Sequence, residues 1–473
     1  MMRTLYHRCL FAVLIFGMIA CRPVFTPCAR AQDAPPATRI GLQESIRRAI
    51  DHSKQVESVV LAVEQSRLRV KEAQLTRFLP KIEIENVWGV LPRRRAVKAD
   101  GTPGAPGEAD YITSPDTSTG FKDLRPFTNT EIKFVQPLYT FGKLSNLIDA
   151  AQYGVEAVEA KTDETEADIA HKMTQVYWGT LLVKGLFALS DDAHSKMASA
   201  EETIQIKLDE DDEDISQEDL WKVRLFQFTV NKHHEEIMKQ QALLRSTYAL
   251  LAGLVETESW DLDAETLQPV EFEIAPYETY LKQALEQRPE LKQVRAGLGA
   301  TRANVNIQKA SYYPDIFLAG GLNQNWAKDR YDPDNRFLRN PTNFLRPGFV
   351  VGFKMDLNFH MTHKKVQQAE IKRLVVEEQL QAAEQGITLE LRDAWLSLQE
   401  ARANVEHGRK ARRDGERWQN AAAQVWDAGL GETKDLIDAY KANGEMQAEY
   451  LQAVYTFNVA AAKLQQIIGH RSW

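Results

Sequence analysis

Cysteine is confined to the beginning of this 473-residue chain. All three cysteines, Cys9, Cys21 and Cys28, precede residue 32. The rest of the sequence therefore has no thiol for a disulfide bond, a thiolate metal site or a cysteine nucleophile. We expect that part to fold by packing alone.

Residues 1–31 resemble a secretory signal peptide. Two arginines precede an apolar run from Leu10 to Ala20, and Ala29 to Ala31 place small residues at the spacing of a cleavage site. We expect cleavage near Ala31. A lipoprotein leader with Cys21 as the attachment site is the alternative, although the residues before Cys21 fit that consensus poorly.

An excess of basic charge is also missing. The chain has 58 Lys plus Arg against 66 Asp plus Glu, a formal net charge of −8. Binding to nucleic acid requires a basic surface, so no nucleic-acid partner is expected. Outside the leader no apolar run reaches the length of a membrane-spanning helix, since Lys184 interrupts the nearest one, Val176 to Leu189.

Proline is absent from two long stretches, residues 138–268 and 348–473. Proline breaks helices, and both stretches are rich in helix-favouring residues, so each predicts a very long helical hairpin. Apolar residues there recur with alternating spacings of four and three, which is typical of a coiled-coil seam. The clearest series are Ile387, Leu391, Ala394, Leu398, Ala401, Val405 and Tyr450, Val454, Phe457, Ala461, Leu464, Ile468.

Segments with a period of two lie between the helical stretches. We predict strands at about 81–91, 127–138, 314–325 and 348–359, each with one apolar and one largely polar face. Their length and pattern are those of transmembrane β-strands, and a soluble half-buried sheet is the alternative. The lipid-facing stripe of the last strand is predicted to be Phe349, Val351, Phe353, Met355, Leu357 and Phe359.

The chain also repeats itself, with a shift of about 219 residues that aligns Leu138 with Leu357. We divide it into the leader (1–31), a first repeat (32–253), an irregular acidic joint (254–275) and a second repeat (276–473). Each repeat is predicted to contain a helix, two strands, a long helix and a return helix.

Three motifs and this duplicated layout carry a family resemblance. Gln136 to Gly142 lies at a strand-to-helix junction, Arg288 to Leu291 opens the second repeat, and Ala428 to Ala439 contains a helix-to-helix turn. Together they resemble the TolC-type outer membrane efflux proteins from about Gly41 to Gly469. The resemblance implies a mixed α/β membrane protein in which four strands per chain complete a trimeric 12-stranded barrel above an antiparallel α-helical coiled-coil tunnel.

The same resemblance assigns roles at the periplasmic end of the tunnel. It places the adaptor-contact tip at Gly429, Leu430, Gly431, Glu432 and Thr433, and the periplasmic aperture at Asp435, Asp438 and Trp426. Gly431 stands where the best-known member of the family has an arginine, so no inter-subunit salt bridge is expected at that point. In the first repeat an acidic tip replaces the glycine turn, namely Asp209, Glu210, Asp211, Asp212, Glu213, Asp214 and, beyond it, Asp219.

No motif indicates catalysis or a cofactor. There is no phosphate-binding loop or nucleophile elbow, and neither His360 with His363 nor His233 with His234 has a third convergent ligand, so no metal site is expected. The acidic tip is itself compatible with a simple solvated turn.

The expected function is therefore a passive outer membrane exit duct that extends into the periplasm. The expected partners are two further copies of the chain, a periplasmic adaptor, an inner-membrane transporter of an efflux or type I secretion system, and outer membrane lipid. A periplasmic coiled-coil scaffold without a channel is the alternative.

Overall fold

The computed structural model describes residues 38–92, 102, 124–210, 215–255, 259–330 and 342–470. The predicted leader and Asp211 to Asp214 of the acidic tip lie outside the described residues.

The secondary structure follows one order twice. The first series is β1 (Thr38–Ile40), α1 (Leu42–His52), α2 (Lys54–Phe78), β2 (Lys81–Pro92), β3 (Leu124–Tyr139), α3 (Lys143–Asp209) and α4 (Gln217–Ala252). The second is β4 (Trp260–Leu262), α5 (Tyr277–Gln287), α6 (Pro289–Ala310), β5 (Asp315–Ala327), β6 (Phe344–Lys354), α7 (Phe359–Asp427) and α8 (Thr433–Ile467). At 1.5 Å per residue, α3 and α7 are each about 100 Å long. None of the described helices combines the length and apolarity needed to cross a bilayer.

The helix predicted before the strands of each repeat is in fact two helices. In the first series α1 ends and α2 begins at Ser53, whose hydroxyl accepts a hydrogen bond from the Val56 amide at 3.4 Å. In the second series α6 begins with Pro289, which fits the first position of a helix but not its interior. The capping serine and the proline therefore explain both breaks.

The four long strands form one antiparallel sheet in the order β2-β3-β5-β6. The long helices pack in the same order near the sheet, as α2-α3-α6-α7. Further away, α4 and α8 replace α2 and α6, so the order becomes α4-α3-α8-α7. The chain is thus an open layer, with β2, α2 and α4 along one edge and β6 and α7 along the other.

Strand β6 ends earlier than the sequence predicts. Its last residue is Lys354, and Met355 and Leu357 follow in an irregular segment, while Phe359 begins α7. The Asp356 carboxylate accepts a hydrogen bond from the Asn358 amide at 3.0 Å and turns the chain. The prediction is therefore wrong for Met355, Leu357 and Phe359, which lie beyond the strand. Phe349, Val351 and Phe353 do lie in β6.

The main core lies midway along the helices, where the joint between the repeats crosses them. The joint is less irregular than predicted, because β4 pairs in parallel with β1 and buries Trp260 and Leu262. Asn458 of α8 is 1% exposed; its side chain accepts from the Val270 amide and donates to the Gln268 carbonyl, both at 2.9 Å. These bonds attach the joint to α8.

An ion-pair network around the buried Arg288 joins the second repeat to the long helices. One nitrogen of Arg288 contacts Glu290 at 3.0 Å and Glu390 of α7 at 2.6 Å, and Lys463 of α8 contacts Glu390 at 3.2 Å. Burial opposes ionisation of Glu390, but Arg288 and Lys463 outweigh it and lower its pKa. Arg288 thus links α6 to α7, and Lys463 extends the network to α8.

Two glycines of the sheet provide a test of its packing. A Cβ on Gly320 would clash with the Phe134 ring and lie 2.8 Å from the Phe349 ring, whereas a Cβ on Gly348 would meet nothing within 4 Å. We expect Gly320→Val to destabilise the sheet by about 1–3 kcal/mol through overpacking, and Gly348→Val to be tolerated. Thermal unfolding of both variants measures this. Equal loss in both would contradict the packing described here.

Candidate functional site

Two helix turns lie at the end of the molecule remote from the sheet. We call the turn between α7 and α8 the second tip (residues 425–438) and the adjoining ends of α3 and α4 the first tip (204–210 and 215–223). They contain the described residues that the sequence assigned to the adaptor contact and the aperture.

The second tip is built by a glycine turn that closes α7. Gly429 has a φ of 71°, its amide donates to the Trp426 carbonyl at 2.9 Å, and the Leu430 amide donates to the Val425 carbonyl at 3.1 Å. This double closure is a Schellman motif, which satisfies the last carbonyls of the helix. It leaves the Leu430 side chain 83% exposed at the end of the molecule.

Gly431 serves the turn differently from Gly429. It does not adopt a positive φ, but a Cβ there would lie 3.1 Å from the Trp426 backbone nitrogen and 3.2 Å from a Val425 methyl carbon. The residue is small because the chain returns closely over the end of α7. The next helix begins at Thr433, with the Glu432 carbonyl accepting from the Asp435 and Leu436 amides.

Trp426 joins the two tips. Its side chain packs against a buried cluster formed by Ile204, Leu220 and Val223 of the first tip. The Lys207 ammonium lies 5.2 Å from the Trp426 ring centroid, and the indole N–H donates to the Thr433 hydroxyl at 3.5 Å. The half-buried Trp426 therefore holds the two tips together within the single chain, and Lys207 is a contact that the sequence did not reveal.

The two aperture carboxylates share an exposed face of α8. Asp435 and Asp438 are both exposed, while Leu436 and Ala439 between and beside them are buried. Neither carboxylate forms an ion pair with another described residue of the chain. Asp435 lies in the first turn of α8, where a carboxylate also stabilises the helix dipole.

Asp219 differs from the other acidic residues of the first tip. Its carboxylate accepts from the Ser216 amide at 3.1 Å and the Ser216 hydroxyl at 2.7 Å, and it lies 3.5 Å from the Lys222 ammonium. Burial works against ionisation, but these hydrogen bonds and Lys222 lower its pKa. Asp219 is thus committed to capping α4, whereas Glu210 ends α3 exposed to solvent and Asp209 accepts from the Gln205 amide group at 3.1 Å.

The sheet at the other end of the molecule has two unlike faces. Directly paired residues of antiparallel strands share a face, and this register places most of the larger apolar side chains together. We call this the apolar face: Ile82, Ile84, Trp88, Val90, Ile132, Phe134, Ile316, Leu318, Leu322, Phe349, Val351 and Phe353. The opposite, polar face carries Lys81, Glu83, Glu85, Glu131, Lys133, Asp315, Asn323, Arg346 and Lys354.

The apolar face is exposed in the single chain. Phe349, Phe353 and Trp88 are all more than 70% exposed, although they are large apolar side chains. Ion pairs instead line the polar face, including Lys81 with Glu83 at 2.6 Å and Lys133 with Glu131 at 2.8 Å. A half-buried sheet of a soluble protein would instead cover its apolar face and expose its polar face.

The histidines do not assemble a metal site in the described residues. No group of three or more histidine, aspartate or glutamate side chains there could hold an ion. His363 lies 3.5 Å from the Tyr312 hydroxyl, His234 lies 3.1 Å from the Ser190 hydroxyl, and His233 lies 3.4 Å from Glu236.

Known proteins share both the sequence pattern and the fold. Residues 280–470 match the model of the family described as outer membrane efflux protein. The chain is 23% identical to the cobalt-zinc-cadmium resistance protein CzcC of Cupriavidus metallidurans over 384 residues, covering 79% of this chain and 85% of that protein. It is 22% identical over 415 residues to the toxin and drug export protein A of Aggregatibacter actinomycetemcomitans, covering 81% and 84%.

Among solved structures, CusC superposes with a TM-score of 0.71 at 15% identity, over 94% of this chain and 96% of CusC. The second repeat of the chain matches the outer membrane efflux protein family. The resemblance inferred from the sequence is confirmed, as are the outer membrane location and a function in efflux transport. Members of this family are channel proteins rather than enzymes.

The coupling of the two tips can be tested at Trp426. We expect Trp426→Ala to destabilise the second tip by about 1–3 kcal/mol, because a half-buried aromatic contact and its cation–π partner are lost. Hydrogen exchange of the Gly429 and Leu430 amides should become faster. The control is Leu430→Ala in the same turn, which removes an exposed side chain and should leave these rates unchanged. Equal rates in Trp426→Ala and the wild type would contradict the coupling.

Proposed function

We propose that three copies of this chain form one channel through the outer membrane, with a 12-stranded barrel and an α-helical tunnel. The channel is a passive exit duct that an inner-membrane transporter and a periplasmic adaptor supply with cargo. The observation that carries this proposal is the exposed apolar face of a sheet whose two edges are open.

Open strand edges support the assembly. The outer edges of β2 and β6 have no strand beside them in the described chain. Unpaired backbone groups are not tolerated in hydrocarbon, so a lipid-embedded sheet must close. With the order β2-β3-β5-β6 and all pairs antiparallel, β6 of one copy meets β2 of the next in the antiparallel sense that an even-stranded barrel requires.

Lipid is the natural partner of the apolar face, and an aqueous lumen suits the polar face. In this arrangement Phe349, Val351 and Phe353 point to lipid. Trp88 and Trp326 share one row across the sheet at its loop end. Aromatic rows of this kind flank the apolar band of membrane barrels. The scaffold alternative would leave the whole apolar face in water.

The second tip is the proposed adaptor contact. Leu430 is an exposed apolar side chain on a rigid turn, next to the close backbone approach at Gly431 and to the exposed Glu432. Thr433 is buried and holds the turn from inside. A protruding turn whose backbone hydrogen bonds are already formed suits docking to a second protein, because little conformational entropy is lost on binding.

The aperture is proposed at Asp435 and Asp438. Three copies around one axis bring six carboxylates together, which favours cations and slows their exit. Such a ring is compatible with the metal resistance named for the CzcC relative, whereas the other relative is named for toxin and drug export. We therefore propose cationic cargo, with metal ions or organic cations as its two forms.

The lipid-facing assignment can be tested by one substitution at two adjacent valines. Val351 and Val350 are 70% and 60% exposed in the single chain but lie on opposite faces of β6. We expect Val351→Arg to cost about 2–4 kcal/mol near the bilayer midplane, and Val350→Arg in the lumen to cost little. The yield of heat-modifiable protein in outer membranes measures the difference. Greater loss from Val350→Arg would reverse the faces.

Single-channel recording tests the aperture. The double variant Asp435→Asn, Asp438→Asn should show weaker cation selectivity and weaker block by divalent cations, because the carboxylate charges are removed with little change in shape. A matched control is Glu449→Gln, an exposed acidic residue further along α8. Unchanged selectivity and block in the double variant would show that these carboxylates do not face the pore.

A further inference from the structure

The two helical edges of the molecule carry matching bands. On α4, residues spaced by four and three form an exposed face: apolar Trp221, Leu225 and Phe228, then polar Lys232, Glu235 and Lys239, then apolar Leu243 and Leu250. This face points away from the buried Leu220, Val223 and Val230, which pack on α3.

The exposed face of α7 has the same succession. From the tip upward it carries apolar Val425 and Trp418, then charged Arg417 and Lys410, then apolar Ala403, Leu396 and Leu389. Most of these residues are seven apart, which is the repeat of a coiled-coil seam. The seam of α7 toward α8 uses other residues, including Leu398, Ala401 and Val405.

The bands lie at the same height above the tips. Leu220 of α4 and Trp426 of α7 belong to one cluster, so the start of α4 and the end of α7 are level. Counted from Gln217 and Asp427 at 1.5 Å per residue, Glu235 and Lys410 lie at about 27 Å and 26 Å. The lower apolar bands, up to Phe228 and Trp418, end at about 17 Å and 14 Å.

One pair of opposite charges lies level where the polar bands meet. Glu235 is the acidic residue of the α4 band, and of the basic residues in the α7 band Lys410 lies at its height, whereas Arg417 lies about 12 Å lower. Glu235 and Lys410 are both exposed, and neither has an ion-pair partner in the described part of its own chain. They cannot pair within one copy, because α3 and α8 lie between α4 and α7. Polar residues placed between the apolar bands of a coiled-coil seam fix the register of its helices.

In the proposed trimer α7 of one copy lies along α4 of the next, because these two helices form the edges of the layer. We propose that an ion pair between Glu235 and Lys410 sets the register of the two helices. This inference rests on the proposed trimer and adds the alignment of its helices. The occupant of each exposed face is a second copy of this chain.

Disulfide cross-linking in membranes tests the register. The Glu235→Cys, Lys410→Cys variant should form covalent trimers on oxidation, because a disulfide requires Cα atoms about 4–7 Å apart. The matched control is Glu235→Cys, Leu389→Cys, whose second site is exposed on the same helix but about 30 Å higher, and which should not link. Each single-cysteine variant controls for linkage through Cys9, Cys21 or Cys28.

The outcomes separate the two proposals. Covalent trimers from the first pair alone support the register. Non-covalent trimers on native gels without this cross-link, or with equal linkage of the control pair, would overturn the register and leave the channel proposal standing. Absence of any trimer in membranes, with the variants folded, would overturn both.

A charge exchange gives a second measurement on the same pair. Lys410→Glu should lower the temperature at which trimers dissociate, because two carboxylates then face each other, and addition of Glu235→Lys should restore it. Additive losses in the double variant would contradict the pairing.

Discussion

The open edges of the four-stranded sheet are the constraint on which the rest of the structure depends. One face of the sheet exposes large apolar side chains, and among the residues that the structure describes no strand pairs with the outer edges of β2 and β6. Lipid hydrocarbon can cover the apolar face, but it cannot form hydrogen bonds with the backbone at the two edges. An arrangement that is stable in lipid therefore needs further strands on both sides. The rings of Phe134 and Phe349 pack over Gly320, so side chains of the apolar face contact one another although no core covers them.

The helices repeat the order of the strands, and this explains their length and packing. Each strand continues directly into, or follows directly from, a long helix, so α2-α3-α6-α7 inherits the order β2-β3-β5-β6. The return helices α4 and α8 take over where α2 and α6 end. The same open layer therefore extends from the sheet to the tips, and one assembly can close it along its whole length. The core between the repeats, with Asn458 and the Arg288 network, holds this layer together at the level where the helices change partners.

Periodicity in the sequence was enough to predict the long helices and the four strands, because apolar spacing reports directly which face is buried or meets lipid. It failed where a local contact overrides the pattern. The alternation continues through Phe359, yet the Asp356 turn ends the strand at Lys354. Asp219 looked like part of an acidic tip but caps α4. The packing of Lys207 on Trp426 joins residues far apart in sequence, which no single-sequence pattern reports.

The most direct test of the account is an electron cryomicroscopy structure of the purified protein in lipid nanodiscs. We expect a threefold ring in which β6 of each copy pairs with β2 of the next, with Phe349, Val351 and Phe353 toward lipid and the polar face toward the lumen. A monomer with open sheet edges, or a closed ring whose apolar face lines the lumen, would contradict it.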